Sequence, residues 1–393
     1  MKKELWIQIF TYKPNSDAAA NRAFAFAKFF NNNGYKVHVI TNGKSNEIEN
    51  DNGVIIHRVQ NKFRYLKKNI INRFLDNLVF LRGCKKIIRK NKEQIKNSFY
   101  LASSPELIPS KAGIYAKKNG AKLIFDVRDI WPEVGIQMGA YGENSIFAKH
   151  FRRCANKMYE KCDILTTVGS KKHQYLSKYK NGKYRHKTFL ISNGVDLDDL
   201  DGLFDYSIIQ KFNSYSKKIV SYVGNVGAAQ GLDALIEIST EYPDLLFLIC
   251  GKGKELEKLQ KNVIDKSITN VVFTGEINKS QALAVTNSSY ISFISLSSNK
   301  MVDSVPTKLF ESLGLGVPTF LVACGESADI LDETGLGVHT SPGHIPAIKD
   351  SFKTMITTYD KIINNKNKSI KLIRDKYSRQ AACNALLELL EDI

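Results

Sequence analysis

The stretch YVGNVGAAQGLDALIEI, residues 222–238, reads as the end of a strand, a glycine-rich turn and an amphipathic helix. Gly224, Gly227 and Gly231 allow a tight turn and can bring backbone N–H groups against an anion at the helix N-terminus. The spacing differs from GxGxxG, so a dinucleotide-binding fingerprint is not supported. The glycines alone fit either a phosphate-binding loop or a turn that needs glycine for packing. In both cases the stretch is a strand–turn–helix unit.

The same unit recurs along nearly the whole chain. Its strands are short, almost continuously apolar runs, which is typical of parallel strands buried on both faces, and helix-length segments such as 18–33 and 104–119 separate them. The runs are 5–10, 36–41, 54–59, 98–103, 122–127, 164–169 and 188–194, followed by 218–224, 245–251, 270–275, 290–296 and 318–323. The two series predict an α/β protein with two Rossmann-like, doubly wound domains.

The acidic, glycine-containing stretch 192–207 is the best candidate for a connection between these domains. We therefore expect an N-terminal domain at 1–195, a linker at 196–217 and a C-terminal domain at 218–393. Residues 369–393 read as a helix that packs on the second domain or crosses back to the first. Doubly wound sheets bind ligands beyond the carboxyl ends of their strands, so the expected site is a central cleft that the two domains face.

The composition is that of a soluble cytoplasmic protein. The 393 residues suit two domains, and the hydrophobic and charged fractions are 43% and 24%. No apolar run is long enough to span a membrane, and the N-terminus lacks the pattern of a secretory signal. The six cysteines and seven histidines lack metal-ligand spacing, so we expect reduced thiols and no bound metal.

The formal net charge of +18 is unevenly distributed. Residues 61–97 hold twelve Lys or Arg against Asp76 and Glu93, interleaved with apolar residues at helical spacing. Such a segment could lie on an anionic membrane surface or follow a phosphate backbone of nucleic acid. It could also be a core-packed helix with a solvated lysine face. We expect the membrane surface, and no nucleic acid.

The most informative stretch is DSVPTKLFESLGLGVP, residues 303–318. Pro306 and Thr307 stand at a predicted helix start, with Lys308 in its first turn. A lysine and free N–H groups at a helix N-terminus suit a pyrophosphate. Glu311, one turn later, can accept hydrogen bonds from a ribose diol. Residue type alone also allows helix-start electrostatics with a solvated lysine.

Two further stretches contain candidate residues. Gly251 and Gly253 follow the predicted strand 245–250, where they allow close backbone approach or simply a tight turn. The stretch LIFDVRDIWPE, residues 123–133, crowds Asp126, Arg128 and Asp129 at a strand end. These residues either line the cleft or form a buried Asp–Arg pair that fixes the loop before Pro132.

In order along the chain, these segments resemble glycosyltransferase family 4, whose members have the GT-B fold. The ordered set is DVRDIWPE (126–133), FLISNGVDLDDL (189–200), the glycine loop, GKG (251–253), FTGEI (273–277) and PTKLFESLGLGVP (306–318). The chain looks most like bacterial O-antigen and capsule enzymes of the N-acetyl-L-fucosamine transferase group. The resemblance runs from about residue 5 to 390.

The resemblance implies a role for each matching residue. Lys308, Asp303 and Glu311 would be the catalytic residues: Lys308 would neutralise the diphosphate, Glu311 would bind the ribose, and Asp303 would meet the donor sugar. Asn225 and Gln230 stand where the family often has Arg and Lys, which leaves Lys308 as the main side-chain cation. The implied donor-binding residues are Gly224, Asn225, Gly227, Gln230, Gly251, Gly253, Gly275, Glu276, Pro306 and Thr307. The implied acceptor-side residues are Asp126, Arg128, Asp129, Asn21 and Arg22.

The family's retaining chemistry needs no metal, so the resemblance implies no cofactor. Asp126 and Asp129 also lack the Asp-x-Asp spacing of metal-dependent glycosyltransferases. The implied donor is a UDP-sugar that carries an N-acetylated amino sugar, and the implied acceptor is a polyprenyl-diphosphate-linked saccharide at the inner face of the cytoplasmic membrane. The alternatives are a GT-B-fold sugar-nucleotide epimerase or hydrolase and a non-enzymatic basic protein that binds nucleic acid.

Overall fold

The computed structural model of the protein describes residues 3–15, 17–65, 70–137, 139–212 and 217–392. The chain divides into two compact α/β units. The first unit consists of Met1–Asn193 and Ala382–Ile393, and the second is Gly194–Ala381. The chain therefore passes between the units twice, once after residue 193 and again after residue 381.

The first unit is built on an eight-stranded sheet. Its strands are β1 (Glu4–Gln8), β2 (Lys36–Gly43), β3 (Glu47–Asp51), β4 (Val54–Gln60), β5 (Phe99–Ser103), β6 (Lys122–Val127), β7 (Ile164–Thr167) and β8 (Thr188–Leu190). Its helices are α1 (Ala18–Asn32), α2 (Ile70–Lys90), α3 (Lys92–Ile95), α4 (Leu107–Lys118), α5 (Glu133–Gln137), α6 (Ile146–Lys161) and α7 (Ser170–Gly182). The strand order is β3-β4-β2-β1-β5-β6-β7-β8, and each pair is parallel except β3–β4. The order reverses at β1, so a topological switch point lies between β1 and β5.

Helices cover both faces of this sheet. On one face, Phe80, Cys84 and Ile88 of α2 pack with residues of α4 and α6 over Trp6, Tyr100 and Phe125. On the other, α1 packs with the C-terminal residues Leu386 and Leu390 over Leu5, Ile7 and Ile124. Burial on both faces is the reason that these strands are almost continuously apolar in sequence.

The second unit has a fully parallel six-stranded sheet. Its strands are β9 (Lys218–Val223), β10 (Leu245–Cys250), β11 (Val271–Gly275), β12 (Ile291–Ser295), β13 (Thr319–Val322) and β14 (Gly337–Thr340). Its helices are α8 (Leu197–Asp201), α9 (Ser207–Gln210), α10 (Asp233–Ser239), α11 (Leu256–Asp265), α12 (Lys279–Asn287), α13 (Thr307–Gly314), α14 (Glu326–Thr334), α15 (Ile345–Thr357), α16 (Tyr359–Ile363), α17 (Lys366–Lys376) and the beginning of α18 (Arg379–Glu391). The order β11-β10-β9-β12-β13-β14 places the switch point between β9 and β12.

Each predicted strand corresponds to an observed one, but β3 and β14 were not predicted. β3 has the sequence EIEND, pairs antiparallel at the sheet edge and is largely exposed, so it lacks an apolar run. β14 has four residues at the other unit's edge. Edge strands need less apolar surface than central ones, which explains why the pattern did not predict them.

The domain boundaries differ from the predicted ones. The segment 196–217 contains α8 and α9 and belongs to the second unit, because Leu200 is buried in that unit's core with Ile373. The predicted helix 369–393 is split into α17 and α18. Around the break, Val195 exchanges backbone hydrogen bonds with Tyr377 and Arg379, and the residues after 381 join the first unit.

The basic segment 61–97 forms α2 and α3, with Lys67 and Lys68 outside the described residues. The apolar residues Phe80, Cys84 and Ile88 pack in the core of the first unit. The basic residues of α2 are exposed, and these are Arg73, Arg82, Lys85, Lys86, Arg89 and Lys90. Phe80, Cys84 and Ile88 therefore serve packing, whereas the charges face solvent.

Candidate active site

Lys308 lies where the second sheet reverses its strand order. It is in the first turn of α13, and its ammonium receives support from β9: Nζ donates to the Tyr222 hydroxyl at 3.0 Å and lies 4.1 Å from the centre of that ring. Within the described part of the chain, no carboxylate forms an ion pair with it. Burial lowers the pKa of Lys308 to about 8, although Glu311 partly opposes this shift. The site thus holds a desolvated cation whose charge lacks a full partner.

The beginning of α13 adds to this positive potential. Its N-cap is Pro306, which has no side-chain acceptor for the first N–H groups of the helix. Thr307 is the first helical residue, so its amide and that of Lys308 belong to the N-terminal turn. A helix N-terminus with an adjacent ammonium is a favourable place for a phosphate.

The glycine loop passes directly beside Lys308. A Cβ atom on Gly224 would lie 2.5 Å from Lys308 Nζ, and Gly224 has a φ of +140°. Asn225 and Gln230 bond to each other, from Nδ2 to Oε1 at 3.1 Å, across Gly227. Glycine at 224 is therefore needed so that the lysine can reach the loop.

Gly251 and Gly253 are explained by backbone packing against this loop. A Cβ atom on Gly251 would lie 1.8 Å from Gly224 O, and one on Gly253 would lie 2.0 Å from Val226 O. The N–H of Gly224 donates to Cys250 O at 2.9 Å, and that of Val226 to Lys252 O at 2.8 Å. The close approach that the sequence indicated is thus made by another part of the protein, and its effect is to fix the loop beside Lys308.

Glu311 is held by a residue that the sequence analysis did not single out. Lys279, at the start of α12, donates to Glu311 Oε1 and lies 3.5 Å from Asp199 Oδ2. The Glu311 side chain is mostly buried, whereas that of Lys279 is half-exposed. Asp199 offers the lysine a second carboxylate partner.

The remaining predicted donor residues are Gly275, Glu276 and Asp303. Gly275 closes β11 with a φ of +73° and accepts from Gly251 N–H at 2.8 Å. Glu276 pairs with Lys252 at 2.5 Å on the surface. Asp303 lies in the partly exposed loop between β12 and α13.

In the first unit, Asp126 is buried at the end of β6. Arg22 of α1 donates to it through Nη2 at 3.0 Å and through Nε at 3.3 Å. Ser103 and Thr166 donate to it at 3.1 and 2.8 Å from the neighbouring strands. Burial acts to raise the pKa of Asp126, but the charge and hydrogen bonds of Arg22, the Thr166 hydroxyl and the Arg128 charge outweigh it and hold the pKa below its usual value.

Arg22 extends this network to the end of the unit, because it also donates to Ile191 O at 2.9 Å and to Ser192 O at 3.1 Å. Of the two alternatives drawn from the sequence, this arrangement corresponds to a buried Asp–Arg pair. The arginine is Arg22, however, from a helix more than a hundred residues away, and not Arg128. Asp126 and Arg22 thus join α1, three strands and the last residues before residue 194.

Arg128 and Asp129 lie beside this network but outside it. The backbone N–H groups of both donate to Ser104 Oγ, at 2.7 and 3.4 Å, and both side chains are partly exposed. Asn21 is next to Arg22 in α1 and is also partly exposed. These three remain the predicted residues of the first unit that can face a ligand.

Four important residues were missed by the sequence analysis. Tyr222 and Lys279 hold Lys308 and Glu311, and Ser103 and Thr166 hold Asp126. Tyr222 and Thr166 stand inside predicted strands, where the pattern gives no sign that a hydroxyl points to a charged group. Among the described residues, no three His, Cys, Asp or Glu side chains are grouped so that they could hold a metal ion.

Comparison with known proteins identifies the class. Residues 19–199 match the family described as Glycosyltransferase Family 4, and residues 207–374 match Glycosyl transferases group 1. The chain is 24% identical over 232 residues to a probable glycosyltransferase, WbjE, from Pseudomonas aeruginosa, and this match spans 57% of either chain. The chain thus spans just over half the length of that relative.

Two solved structures share the fold over nearly the whole chain. Anabaena HepE in complex with UDP is 13% identical with a TM-score of 0.72, and each chain is fully covered. WaaG, a glycosyltransferase involved in lipopolysaccharide biosynthesis, is 13% identical with a TM-score of 0.69, over 97% of this chain and 99% of that one. The protein has the GT-B fold, as the sequence predicted. Each half of the chain matches a glycosyltransferase family model, and the two matches together indicate a glycosyltransferase enzyme.

Proposed function

We propose that the protein is a retaining glycosyltransferase that moves a sugar from a UDP-sugar to a polyprenyl-diphosphate-linked saccharide. The observation that carries the proposal is the partly buried ammonium of Lys308, which lies at the start of α13 beside Gly224 and donates to the Tyr222 hydroxyl. Departure of a nucleotide diphosphate places negative charge on its terminal phosphate. Cations and helix N-termini aimed at such developing charge are a principal source of catalysis.

The proposed step breaks the bond between the donor sugar's anomeric carbon and the diphosphate oxygen. An acceptor hydroxyl forms its bond to that carbon on the same face, and its proton passes to the departing phosphate oxygen. Lys308 and the first N–H groups of α13 neutralise the phosphate, so this step needs neither a metal nor a protein base. Asp303, in the loop before α13, would meet hydroxyls of the donor sugar.

The choice of UDP rests on two supports. Anabaena HepE, which shares this fold, has a crystal structure in complex with UDP. Glu311 lies one turn after Lys308 along α13, a spacing that suits the ribose of the same nucleotide. The resemblance to the N-acetyl-L-fucosamine transferase group favours an N-acetylated amino sugar as the transferred group.

A lipid-linked acceptor is supported by charge. The exposed residues of α2 include Arg82, Lys85, Lys86, Arg89 and Lys90, which would be attracted to anionic lipid by roughly 1 kcal/mol each. Within the part of the chain that the structure describes, no helix is long and apolar enough to cross a bilayer. We therefore place the protein at the inner face of the cytoplasmic membrane as a peripheral enzyme of O-antigen or capsule synthesis, in line with the involvement of WaaG in lipopolysaccharide biosynthesis.

The proposal is tested with a panel of nucleotide sugars scored by thermal shift, because a bound donor stabilises the fold by mass action. UDP-sugars are expected to raise the unfolding temperature of the wild type but not of Lys308→Ala. Turnover of Lys308→Ala should fall by about 10²–10³-fold. Lys258→Ala, which removes an exposed surface cation, is the control and should behave as the wild type.

Three outcomes would contradict the proposal. A rise in unfolding temperature with GDP-sugars and not with UDP-sugars would refute the proposal that the donor is a UDP-sugar. Consumption of the donor without an acceptor would favour an epimerase or hydrolase. Full turnover by Lys308→Ala would exclude the proposed role of the lysine.

A further inference from the structure

Helix α6 begins with two large apolar side chains in solvent. Ile146 is 85% exposed and Phe147 is 55% exposed. Their position is fixed, because the Ser145 hydroxyl caps the helix by accepting from the N–H of Ala148 at 3.1 Å. Ala148, the next residue, is buried. The helix therefore holds Ile146 and Phe147 outside the core of the first unit.

An aromatic cluster anchors this end of α6. Phe151, one turn further along, packs against Trp131 and Tyr141 with ring centres 5.7 and 6.0 Å apart. Arg152 pairs with Glu133 at 3.2 Å and ties the same turn to α5. The first turns of α6, which carry Ile146 and Phe147, are thus packed against neighbouring residues of the first unit.

The surroundings are basic. Lys149, Arg153 and Lys157 are exposed on α6. Between residues 134 and 159 the sequence has four Lys or Arg and a single acidic residue, Glu143. An apolar pair beside three exposed basic side chains suits a partner that is apolar inside and anionic at its surface.

Near the start of α2, Phe74 is 48% exposed, like the two apolar side chains at the start of α6. Both helices begin at the carboxyl edge of the first sheet, the edge at which doubly wound folds bind their ligands.

We propose that Ile146 and Phe147 insert into the surface of an anionic bilayer, an inference that rests on the proposed lipid-linked acceptor. α2 supplies charge, and its residues Phe80, Cys84 and Ile88 are in the core, so the apolar part of the anchor comes from the start of α6. An interfacial anchor combines buried apolar side chains with electrostatic attraction. A stable protein–protein interface needs roughly 800 Å² per partner, far more than two side chains offer.

The test uses the full chain and vesicles of phosphatidylglycerol and phosphatidylcholine in equal parts. The double variant Ile146→Ser/Phe147→Ser should weaken vesicle binding about tenfold or more. Its thermal unfolding should match the wild type, because both side chains are exposed. Ile264→Ser, which removes a side chain that is 75% exposed in the second unit, is the matched control and should bind as the wild type.

A second measurement locates the insertion. Tryptophan fluorescence of Phe147→Trp should shift to the blue on vesicles and be quenched by brominated lipid more strongly than that of the wild type. Unchanged vesicle affinity of the double variant, or no added quenching, would overturn the inference. So would a wild-type dimer that the double variant abolishes, since a second copy would then cover these residues.

The donor site is assessed separately by UDP calorimetry in solution. Wild-type UDP affinity in the double variant, together with wild-type vesicle binding, would refute the anchor while leaving the proposed transferase function standing. A wild-type protein that does not bind UDP would instead refute the proposed function.

Discussion

Asp126 and Lys308 are both charged residues at the carboxyl edge of a sheet, the first buried and the second partly buried, and their surroundings differ. Asp126 accepts four hydrogen bonds from Arg22, Ser103 and Thr166. Lys308 has the hydroxyl and ring of Tyr222 and no paired carboxylate among the described residues. A fully paired buried charge stabilises the fold, whereas an underpaired one is kept ready for a ligand of opposite charge.

The largest expected effect is on stability at Asp126. Asp126→Asn leaves the Arg22 guanidinium buried without its counter-charge, and the free energy of unfolding should fall by about 3–5 kcal/mol. Urea unfolding measures this loss. The remaining folded protein should bind UDP as the wild type, since the donor residues belong to the other unit.

Glu160→Gln is the control for that variant, because the side chains of Glu160 and its ion-pair partner Lys183 are both exposed. We expect this substitution to cost less than about 1 kcal/mol. An equally small loss in Asp126→Asn, accompanied by lost transfer to the acceptor, would instead make Asp126 an acceptor-contacting residue.

The second prediction concerns the loop beside Lys308. Gly251→Ala would place a Cβ atom 1.8 Å from Gly224 O, so the loop must move. Overpacking of this kind costs about 1–3 kcal/mol. UDP affinity measured by calorimetry should fall with it. Gly343→Ala controls for backbone strain, because its φ is +109° and a Cβ atom there meets nothing within 4 Å.

The comparison also shows what the sequence could and could not predict. The two series of apolar runs were sufficient for two parallel sheets, because strands buried on both faces need a continuous apolar sequence. The order of strands within each sheet was not predictable from these runs, because right-handed crossovers are compatible with more than one order. The edge strands β3 and β14 carry no such pattern.

Prediction of the site was similarly uneven. Lys308 and Glu311 could be assigned because PTKLFE stands in an ordered set of segments that resembles the family, whereas residue type alone also allowed helix-start electrostatics. The partner of Asp126 could not be predicted, because Arg22 is distant in sequence and only the packing of α1 on the sheet brings it close. Ile146 and Phe147 look like ordinary core residues of an amphipathic helix until their exposure is known.

The first unit also contains two buried histidines, which differ from Asp126 and Lys308 because they stay neutral. His38 and His57 lie on β2 and β4, with Nδ1 and Nε2 3.0 Å apart, and Trp6 stacks on His38. Burial lowers the pKa of His38 to about 3, with His57 adding to the shift, and burial lowers that of His57 to about 4. Both imidazoles therefore remain uncharged in the folded protein near neutrality.

Because these two pKa values lie below those of the unfolded chain, acid favours unfolding. Stability should fall as the pH drops below about 6.5, by up to about 1.4 kcal/mol per pH unit for each histidine, and the loss should end near the folded pKa values. Urea unfolding at a series of pH values measures the slope. His57→Gln should lower the slope of the free energy of unfolding against pH by the contribution of about one proton. His186 is exposed, so His186→Gln should leave the slope unchanged.

The central claim is that Lys308 supplies the charge that binds the donor diphosphate, and the pH dependence of UDP affinity tests it most directly. The ammonium loses its proton as the pH rises through about 8 in the free protein, and a bound diphosphate favours the charged form. Calorimetry should show the UDP association constant of the wild type falling above that pH, by up to about tenfold per pH unit, with uptake of one proton. Lys308→Ala should bind weakly and show no such fall. Parallel curves for the two proteins would contradict the account.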